Sequence, residues 1–343
     1  MSKTNAPTTT TTTTTSKTTT NKSAATTKKN TKSVTANANA TQTQSQTQSQ
    51  TQTQAQTVQP QSQIVQATQT PPQPQVNSDY LLEIHTVQVQ GFKGTLEAIK
   101  DLLHQCNIHF DKTGMKIKSV DGNHVALVHV RFDADNFDKY HCEREMSIGI
   151  DIGNTLKVLK NVTQNDTLQL FIRKDNLDEA GIRIQNADKG SIHEFFVKLL
   201  DIDDNDIDIP ETDFTSIITM PSADLHSLFK LYKEFSTQVD IKSVGEQVFF
   251  KFDGDETRGT TCLQNNENGM VVQKCNIGDD DKKDEVVQAK FLSKYLVIFT
   301  KAYNLSNTVE ILLKNNYPMV LKYAIADLGT LKFCLAPVVD KEN

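Results

Sequence analysis

Apolar and polar side chains alternate along most of the chain from Tyr80 onward, which predicts many short antiparallel strands. Leu82, Ile84, Val87 and Val89 form the first such stretch. Four segments instead place their apolar residues at helical spacing, and we predict helices over 91–104, 152–161, 222–234 and 289–301. Strands interrupted by so few helices indicate the α+β class.

The order of these elements occurs twice. The tetrapeptide Ile-Lys-Ser-Val at 117–120 recurs at 241–244. The second predicted helix and the strand after it also match at one constant offset: Leu156, Val158, Lys160, Thr167, Leu168, Leu170 and Ile172 correspond to Val297, Phe299, Lys301, Thr308, Val309, Ile311 and Leu313. We infer two similar domains that are joined near residues 200–213.

The first 78 residues have a different composition from the rest. Residues 8–15 are all threonine, and residues 41–57 alternate threonine or serine with glutamine. Such a segment lacks the apolar side chains needed to offset the entropy lost on ordering, so we predict a disordered tail over 1–78. The tail carries six lysines and no acidic residue, although the whole chain has a net charge of −6. The remaining residues are therefore acidic.

Lysines nevertheless gather on the predicted helices. In 91–104, Phe92, Leu96 and Ile99 share one face, whereas Lys93 and Lys100 lie on another. The nine lysines of the four helices are Lys93, Lys100, Lys157, Lys160, Lys230, Lys233, Lys290, Lys294 and Lys301. On any single helix, lysine is an ordinary surface residue. On all four helices of an acidic body, it predicts a face that contacts DNA phosphates without distinguishing bases.

Other chemistry finds little support in the sequence. The five cysteines form no CxxC pair, which favours buried thiols in a reducing compartment. The acidic stretch from Asp201 lacks the glycine and glutamate that a calcium-binding EF-hand loop requires. Motifs of nucleotide and serine hydrolases are absent, so we expect no enzyme, metal or cofactor. We also expect an intracellular protein without a membrane span, because no apolar run is long enough.

Several stretches resemble one known family. They are 96–102 (LEAIKDL), 119–128 (SVDGNHVALV), 137–144 (FDKYHCER), 209–211 (IPE), 220–222 (MPS) and 325–337 (IADLGTLKFCLAP). On these residues the chain resembles proliferating cell nuclear antigen, the sliding clamp of eukaryotes and archaea. The resemblance implies a ring of three subunits, with helices around a central hole and antiparallel sheets outside. Each subunit would have clamp domains at 79–199 and 214–343, joined by a connecting loop at 200–213.

The resemblance also implies a binding site for partner peptides at this loop. Such peptides would insert a short helical turn that bears aliphatic and aromatic anchors. The implied site residues are Val120, His124, Leu127, Ile207, Ile209, Pro210, Pro318, Ala336, Pro337, Val338 and Val339.

The implied subunit contact pairs the strand near 191–198 with the edge around 258–264 of a neighbour. It would bury Phe195 and Val197 against Phe229 and Tyr232.

Three positions depart from the pattern of the family. Gly245 stands where eukaryotic clamps carry a lysine that is modified during damage bypass, so we do not expect that regulation. Ser227 replaces an inner-surface arginine, and Cys334 replaces an aromatic residue near the partner site. The preferred partner motif can therefore differ.

The expected function is that of a processivity factor in DNA replication. The ring would encircle double-stranded DNA, bind polymerases and proteins of repair and translesion synthesis, and require an ATP-dependent loader. Its location would be a nucleus or a viral replication site, and its assembly a homotrimer. The alternative is a subunit of a heterotrimeric checkpoint-like clamp, or a scaffold that does not encircle DNA.

Overall fold

The computed structural model describes residues 79–203, 212–266, 269–274 and 285–339, which contain eighteen strands and four α-helices. The first half comprises β1 Tyr80–Thr86, α1 Val89–Ile99, β2 Gln105–Asp111, β3 Gly114–Val120, β4 Ala126–Asp133, β5 Lys139–Cys142, β6 Met146–Asp151, α2 Ile152–Val158, β7 Asp166–Arg173, β8 Glu179–Asn186 and β9 Ser191–Lys198. The second half comprises β10 Ser216–Pro221, α3 Ser222–Lys233, β11 Gln238–Val244, β12 Gln247–Asp253, β13 Arg258–Gln264, β14 Val271–Lys274, β15 Val287–Leu292, α4 Ser293–Thr300, β16 Thr308–Leu313, β17 Met319–Ile325 and β18 Gly329–Leu335. The predicted tail 1–78 lies outside the described residues.

The strands form three antiparallel sheets. The first sheet has the order β5-β1-β7-β8-β9 and belongs to the first half. The third has the order β13-β12-β11-β15 and belongs to the second half. The second sheet joins the halves as β14-β10-β16-β17-β18-β4-β3-β2-β6, because β18 pairs with β4.

Each half contains the same elements in the same order, which confirms the predicted duplication. The constant offset through α2 and β7 is confirmed, because α4 and β16 hold the equivalent places. The tetrapeptide, however, is a wrong marker of the repeat. Residues 117–120 end β3, the second strand after α1, whereas 241–244 end β11, the first strand after α3. Alternating strands of similar composition produced this match.

The four helices pack side by side on one face of the sheets. Phe92, Leu96, Phe229 and Phe299 are buried beneath them. The helices of the two halves meet closely at Gly94 of α1, where a Cβ atom would lie only 2.7 Å from the Leu305 side chain. Glycine at this position therefore allows α1 to approach the turn that follows α4.

Three helix boundaries were predicted wrongly. Val89 begins α1 instead of ending the first strand, and the helix stops at Ile99, where 104 was predicted. The fourth helix begins at Ser293, because the preceding residues pair with β11 as β15. Val287 and Phe291 of β15 are buried while Lys290 is exposed, which is the alternation of a strand.

Candidate nucleic-acid and partner interfaces

The solvent face of the helical layer carries most of the predicted lysines. Seven of them are exposed: Lys100, Lys157, Lys160, Lys230, Lys233, Lys294 and Lys301. Lys93 is half-buried, and its Nζ donates a hydrogen bond to the carbonyl oxygen of Lys160 at 3.2 Å. Because the opposite face of each helix packs into the core, these lysines lie on one side of the chain.

Lys290 is an exception, and its predicted place on a helix is wrong. It lies on β15, opposite Asp240 of β11. Its neighbour Phe291 faces the core, so alternation directs the Lys290 side chain to the outer face of the third sheet. Lys290 therefore does not belong to the helical lysine face.

An ion pair connects the two halves of the chain at this face, and a histidine on the same face is held in its uncharged form. Lys301 Nζ lies 2.6 Å from Asp101 Oδ2, which forms an ion pair between the turns that follow α4 and α1. The His226 ring stacks on Tyr303 with 4.7 Å between ring centroids. Burial, together with Lys230 and Lys301, lowers the pKa of His226. The imidazole is therefore neutral at pH 7, and the positive charge of the face comes from lysine.

The predicted partner site falls partly on described residues. Ile207, Ile209 and Pro210 lie outside them. Val120 pairs with Leu127, and Leu127 also pairs with Cys334 of the second half. These three half-buried side chains form a row on the outer face of the nine-stranded sheet. Val320 extends the row, because it pairs with Cys334.

The end of the described chain runs beside this row. The Ala336 amide donates to the Val125 carbonyl at 3.1 Å, and the Val338 amide donates to the Lys290 carbonyl at 2.8 Å. Pro318 stands next to Ala336, one residue beyond the pair Met319–Leu335. Val339 is 81% exposed. Pro337, half-buried, lies between the two anchored residues, so the structure brings the predicted C-terminal residues to the row.

A network of hydrogen bonds shapes the turn that carries His124. His124 has a positive φ of 56°, and the buried Asp121 closes the turn. One Asp121 oxygen accepts from the Val125 and Ala126 amides at 2.9 and 2.8 Å, and the other accepts from the Tyr295 hydroxyl at 2.6 Å. Burial opposes ionisation, but these hydrogen bonds hold the pKa of Asp121 below its usual value. Tyr295 of α4 thus anchors a turn that belongs to the other half of the chain.

The predicted subunit contact is partly corrected. Phe195 is 39% exposed on β9, and Val197 is half-buried on the same strand. Phe229 and Tyr232, by contrast, are 0% and 2% exposed, so the prediction that they face a neighbour is wrong. They follow Leu225 at helical spacing and fill the core of the second half. The Tyr232 hydroxyl lies 2.6 Å from Thr261 Oγ1, beneath the edge strand β13.

Leu231 and Phe235 are apolar surface residues that sequence reasoning missed. They are 53% and 43% exposed at the end of α3. Their positions, two and six residues after Phe229, lie off the core stripe of the helix, and this spacing could have identified them.

Other chemistry receives no support from the described residues. Within them, no group of three or more His, Cys, Asp or Glu side chains could hold a metal ion. No helix in the same part of the chain is long and apolar enough to cross a membrane. Burial raises the pKa of the Cys106 thiol to about 12 and that of Cys334 to about 11. Both are therefore protonated, unreactive thiols at neutral pH.

Both halves of the chain match domains of one known protein family. The family model for the N-terminal domain of proliferating cell nuclear antigen matches residues 81–208, and the model for its C-terminal domain matches residues 208–338. A "Probable DNA polymerase sliding clamp 1" of Paramecium bursaria Chlorella virus 1 is 31% identical over 269 residues, which are 77% of this chain and 99% of the viral protein. A "Proliferating cell nuclear antigen" of Chaetomium thermophilum is 33% identical over 263 residues, which are 77% of this chain and 100% of the fungal protein.

Proposed function

Because this chain belongs to the proliferating cell nuclear antigen family, we propose that it is a DNA sliding clamp, a ring that encircles duplex DNA and holds polymerases on it. The ring would be a homotrimer without catalytic activity. Two edge strands, each of which pairs on only one side within the described part of the chain, carry the proposal. The lysine-bearing helical layer supports its orientation.

The two edges are β9 in the first sheet and β13 in the third. In the duplicated order of elements, β9 corresponds to β18 and β13 corresponds to β4. The internal equivalents β18 and β4 pair with one another over seven residues, from Gly329–Phe132 to Leu335–Ala126. The same pairing is therefore available between β9 of one copy and β13 of the next. Repeating this contact with rotation closes a ring and leaves neither edge free.

The internal junction also predicts the register of this pairing. Counted from the shared strand pairings, Phe195 corresponds to Phe333 and Thr261 corresponds to Val130. The intrachain register then sets Ile192 opposite Cys262 of the neighbour and Phe195 opposite its Gly259. Both residues of the first pair have exposed side chains in the single chain.

We propose that DNA passes the lysine face of the helical layer. The proposed contacts are Lys93, Lys100, Lys157, Lys160, Lys230, Lys233, Lys294 and Lys301. Lysine side chains contact phosphates and do not distinguish bases by themselves, so binding would be independent of sequence and would weaken with salt. Lys290 is left out, because it lies on the outer face of a sheet.

We further propose clamp domains at 79–199 and 214–343, with the connecting loop at 200–213 and the row around Leu127 as the partner site. Polymerases and other replication or repair proteins would dock there through short peptides. A closed ring cannot thread onto circular DNA by itself, so an ATP-dependent loader is required. Its place of action would be a nucleus or a viral replication site.

Retention on DNA tests the proposal. The purified full-length protein is loaded on nicked circular plasmid with a clamp loader and ATP, and its release is measured before and after the plasmid is cut once. A clamp stays on the circle at about 0.3 M salt and leaves the linear form from its ends, because phosphate contacts alone fail at that salt concentration. Equal loss from both forms would contradict encirclement. Mass measurement without DNA separates a homotrimer from a monomeric scaffold or a subunit that requires another protein.

A further inference from the structure

The outer face of the nine-stranded sheet carries two contrasting rows of side chains. The first, the apolar row, is formed by Val120, Leu127, Cys334, Val320 and Leu312, which are paired across five adjacent strands. The second, the basic band, lies one step along the same strands and consists of Lys118, His129, Lys332 and Lys322, with Lys116 and Arg131 beyond Lys118 and His129. Two residues along a strand span ~7 Å, so one short peptide can touch both rows.

The basic band concentrates positive charge on a body that is otherwise acidic. His129 lies directly opposite Lys118 on one side and Lys332 on the other. Burial, then Lys332, Lys118, Arg131 and Lys116, lower the pKa of His129 to about 4. His129 is therefore neutral at pH 7, but Lys332 lies directly opposite Lys322, and Lys116 lies opposite Arg131. Like charges opposite one another in a sheet are unfavourable. The cluster therefore costs stability in the single chain, and a bound anion would relieve this repulsion.

Three members of the basic band are paired with carboxylates of the chain. Lys116 is paired with Asp111 at 2.7 Å, Arg131 with Asp133 at 2.6 Å, and Lys322 with Glu310 at 3.0 Å. Within the described part of the chain, Lys332 forms no ion pair. Lys332 lies at the centre of the band, next to Cys334 of the apolar row along β18.

We propose that the basic band selects partner peptides whose apolar anchors are flanked by acidic residues. The anchors would occupy the apolar row, and the Asp or Glu side chains would contact Lys118 and Lys332. The inference rests on the proposed partner site and adds to it a preference for charge. Electrostatic complementarity of this kind favours one class of partners over another.

Charge complementarity and position favour a peptide over nucleic acid. The apolar row directly beside the band offers a phosphate backbone no partner, whereas a peptide with apolar anchors satisfies both rows together. The half-buried imidazole of His129 is the one aromatic ring among the members of the two rows, so bases would find little stacking surface there.

Binding of three labelled peptides to the full-length protein tests the proposal. Each peptide has one helical turn with an isoleucine and two phenylalanines, flanked at both ends by two Glu, two Gln or two Lys residues. In about 50 mM salt we expect the Glu-flanked peptide to bind roughly tenfold more tightly than the Gln-flanked one, and the Lys-flanked peptide to bind most weakly. At about 0.3 M salt the difference should shrink to about twofold, because exposed charges are screened.

Charge variants assign the preference to the band. Lys118→Gln combined with Lys332→Gln should abolish the preference while the Gln-flanked peptide binds as before, and the double change to Glu should invert it. Lys242→Glu is the matched control, because Lys242 is also half-buried on the outer side of a strand but belongs to the third sheet. It should change nothing. Unchanged thermal unfolding of each variant excludes misfolding as the cause.

The outcomes separate this inference from the function on which it rests. If the Gln-flanked peptide does not bind at all, the proposed partner site fails. If all three peptides bind equally, the site stands and the selectivity is overturned. Loss of affinity for linear duplex DNA in the double Gln variant, without change in peptide binding, would overturn it in favour of a nucleic-acid surface. A fourth outcome is that the Glu-flanked peptide is preferred only when Asp204, Asp206 and Asp208 are changed to Asn. This result would overturn the proposed selectivity, because the chain's own acidic segment would then be the ligand of the basic band.

Discussion

The duplication places equivalent strands in different surroundings. The strands β18 and β4 are paired inside a sheet, whereas their equivalents β9 and β13 lie at sheet edges. At the internal junction, β18 pairs with β4, and Phe333 is 0% exposed and stacked on Phe299 at 4.6 Å. At the open edge β9, the equivalent Phe195 is 39% exposed. One sequence position is thus a core residue in one half and a surface residue in the other. The difference supports the proposed contact of β9 with a neighbouring copy.

The junctions also differ in what reinforces them. The internal junction has the hydrogen bond from Tyr295 to the buried Asp121 and the ion pair of Lys301 with Asp101. In the repeated order of elements, Asn154 of α2 corresponds to Tyr295 of α4, and Gly254 after β12 corresponds to Asp121 after β3. The hydrogen bond therefore has no counterpart between copies. A ring built in this way would open between subunits before its domains separate, as loading onto DNA requires.

The strongest test of the comparison is covalent capture of the predicted register. Ile192→Cys would stand opposite the native Cys262 of a neighbour, as Thr330 stands opposite Arg131 inside the chain. Mild oxidation should convert most of the protein to disulfide-linked rings, because facing residues of antiparallel strands are close enough for a disulfide. Gel electrophoresis without reductant measures the product. His193→Cys is the control, because its side chain points to the other face; equal cross-linking of both variants would contradict the register.

The second test compares two equivalent phenylalanines. Phe333→Ala removes a ring with no exposed surface and should lower the free energy of unfolding by ~3–5 kcal/mol. Phe195→Ala should leave unfolding of the isolated chain within about 1 kcal/mol but weaken association of the copies. Urea unfolding and mass measurement over a range of protein concentrations separate the two effects. A strong loss of chain stability with unchanged assembly for Phe195→Ala would show that β9 does not lie at the subunit contact.

The sequence predicted the layout of the fold better than the contacts between its parts. Helical spacing identified all four helices, because each buries one stripe of apolar residues. The start of α4 was missed, because 287–292 combine a lysine and apolar residues that suit either element until their pairing with β11 is seen. Phe229 and Tyr232 were misassigned because position in the family was used in place of their helical spacing from Leu225. Asp121 and Tyr295 are 174 residues apart, and no local pattern connects them.

The third test removes the reinforcement that is found only inside the chain. Asp121→Asn and Tyr295→Phe should each lower the free energy of unfolding by ~1–3 kcal/mol at pH 7, because a buried carboxylate loses a charge-assisted hydrogen bond. The control is Tyr303→Phe, since the Tyr303 hydroxyl forms no hydrogen bond within the described residues. Urea unfolding measures all three. Equal small losses would show that the Asp121 network does not stabilise the junction.

This test has a defined pH dependence. The folded-state pKa of Asp121 is lower than its usual value of 3.8, so the ionised carboxylate contributes stability above that pH. The contribution is lost as the pH falls through the lower pKa of the folded state. The difference between the wild type and Asp121→Asn should therefore narrow below about pH 3.8. A difference that stays constant down to pH 2 would contradict a role for the charge.

The smallest expected effect concerns the ion pair of Lys301 with Asp101, for which the proposed contact between copies offers an equivalent pair. Lys160 and Glu234 hold the places of Lys301 and Asp101, whose charged atoms are 2.6 Å apart inside the chain. Between copies, the pair should contribute ~0.2–1 kcal/mol, as exposed ion pairs do. Lys160→Glu should weaken ring assembly about two- to fivefold without DNA, and adding Glu234→Lys should restore it. The matched control is Lys157→Glu, in the last turn of α2, which has no predicted partner across the contact and should leave assembly unchanged. Failure of the double variant to recover would exclude the pair of Lys160 and Glu234 from the contact.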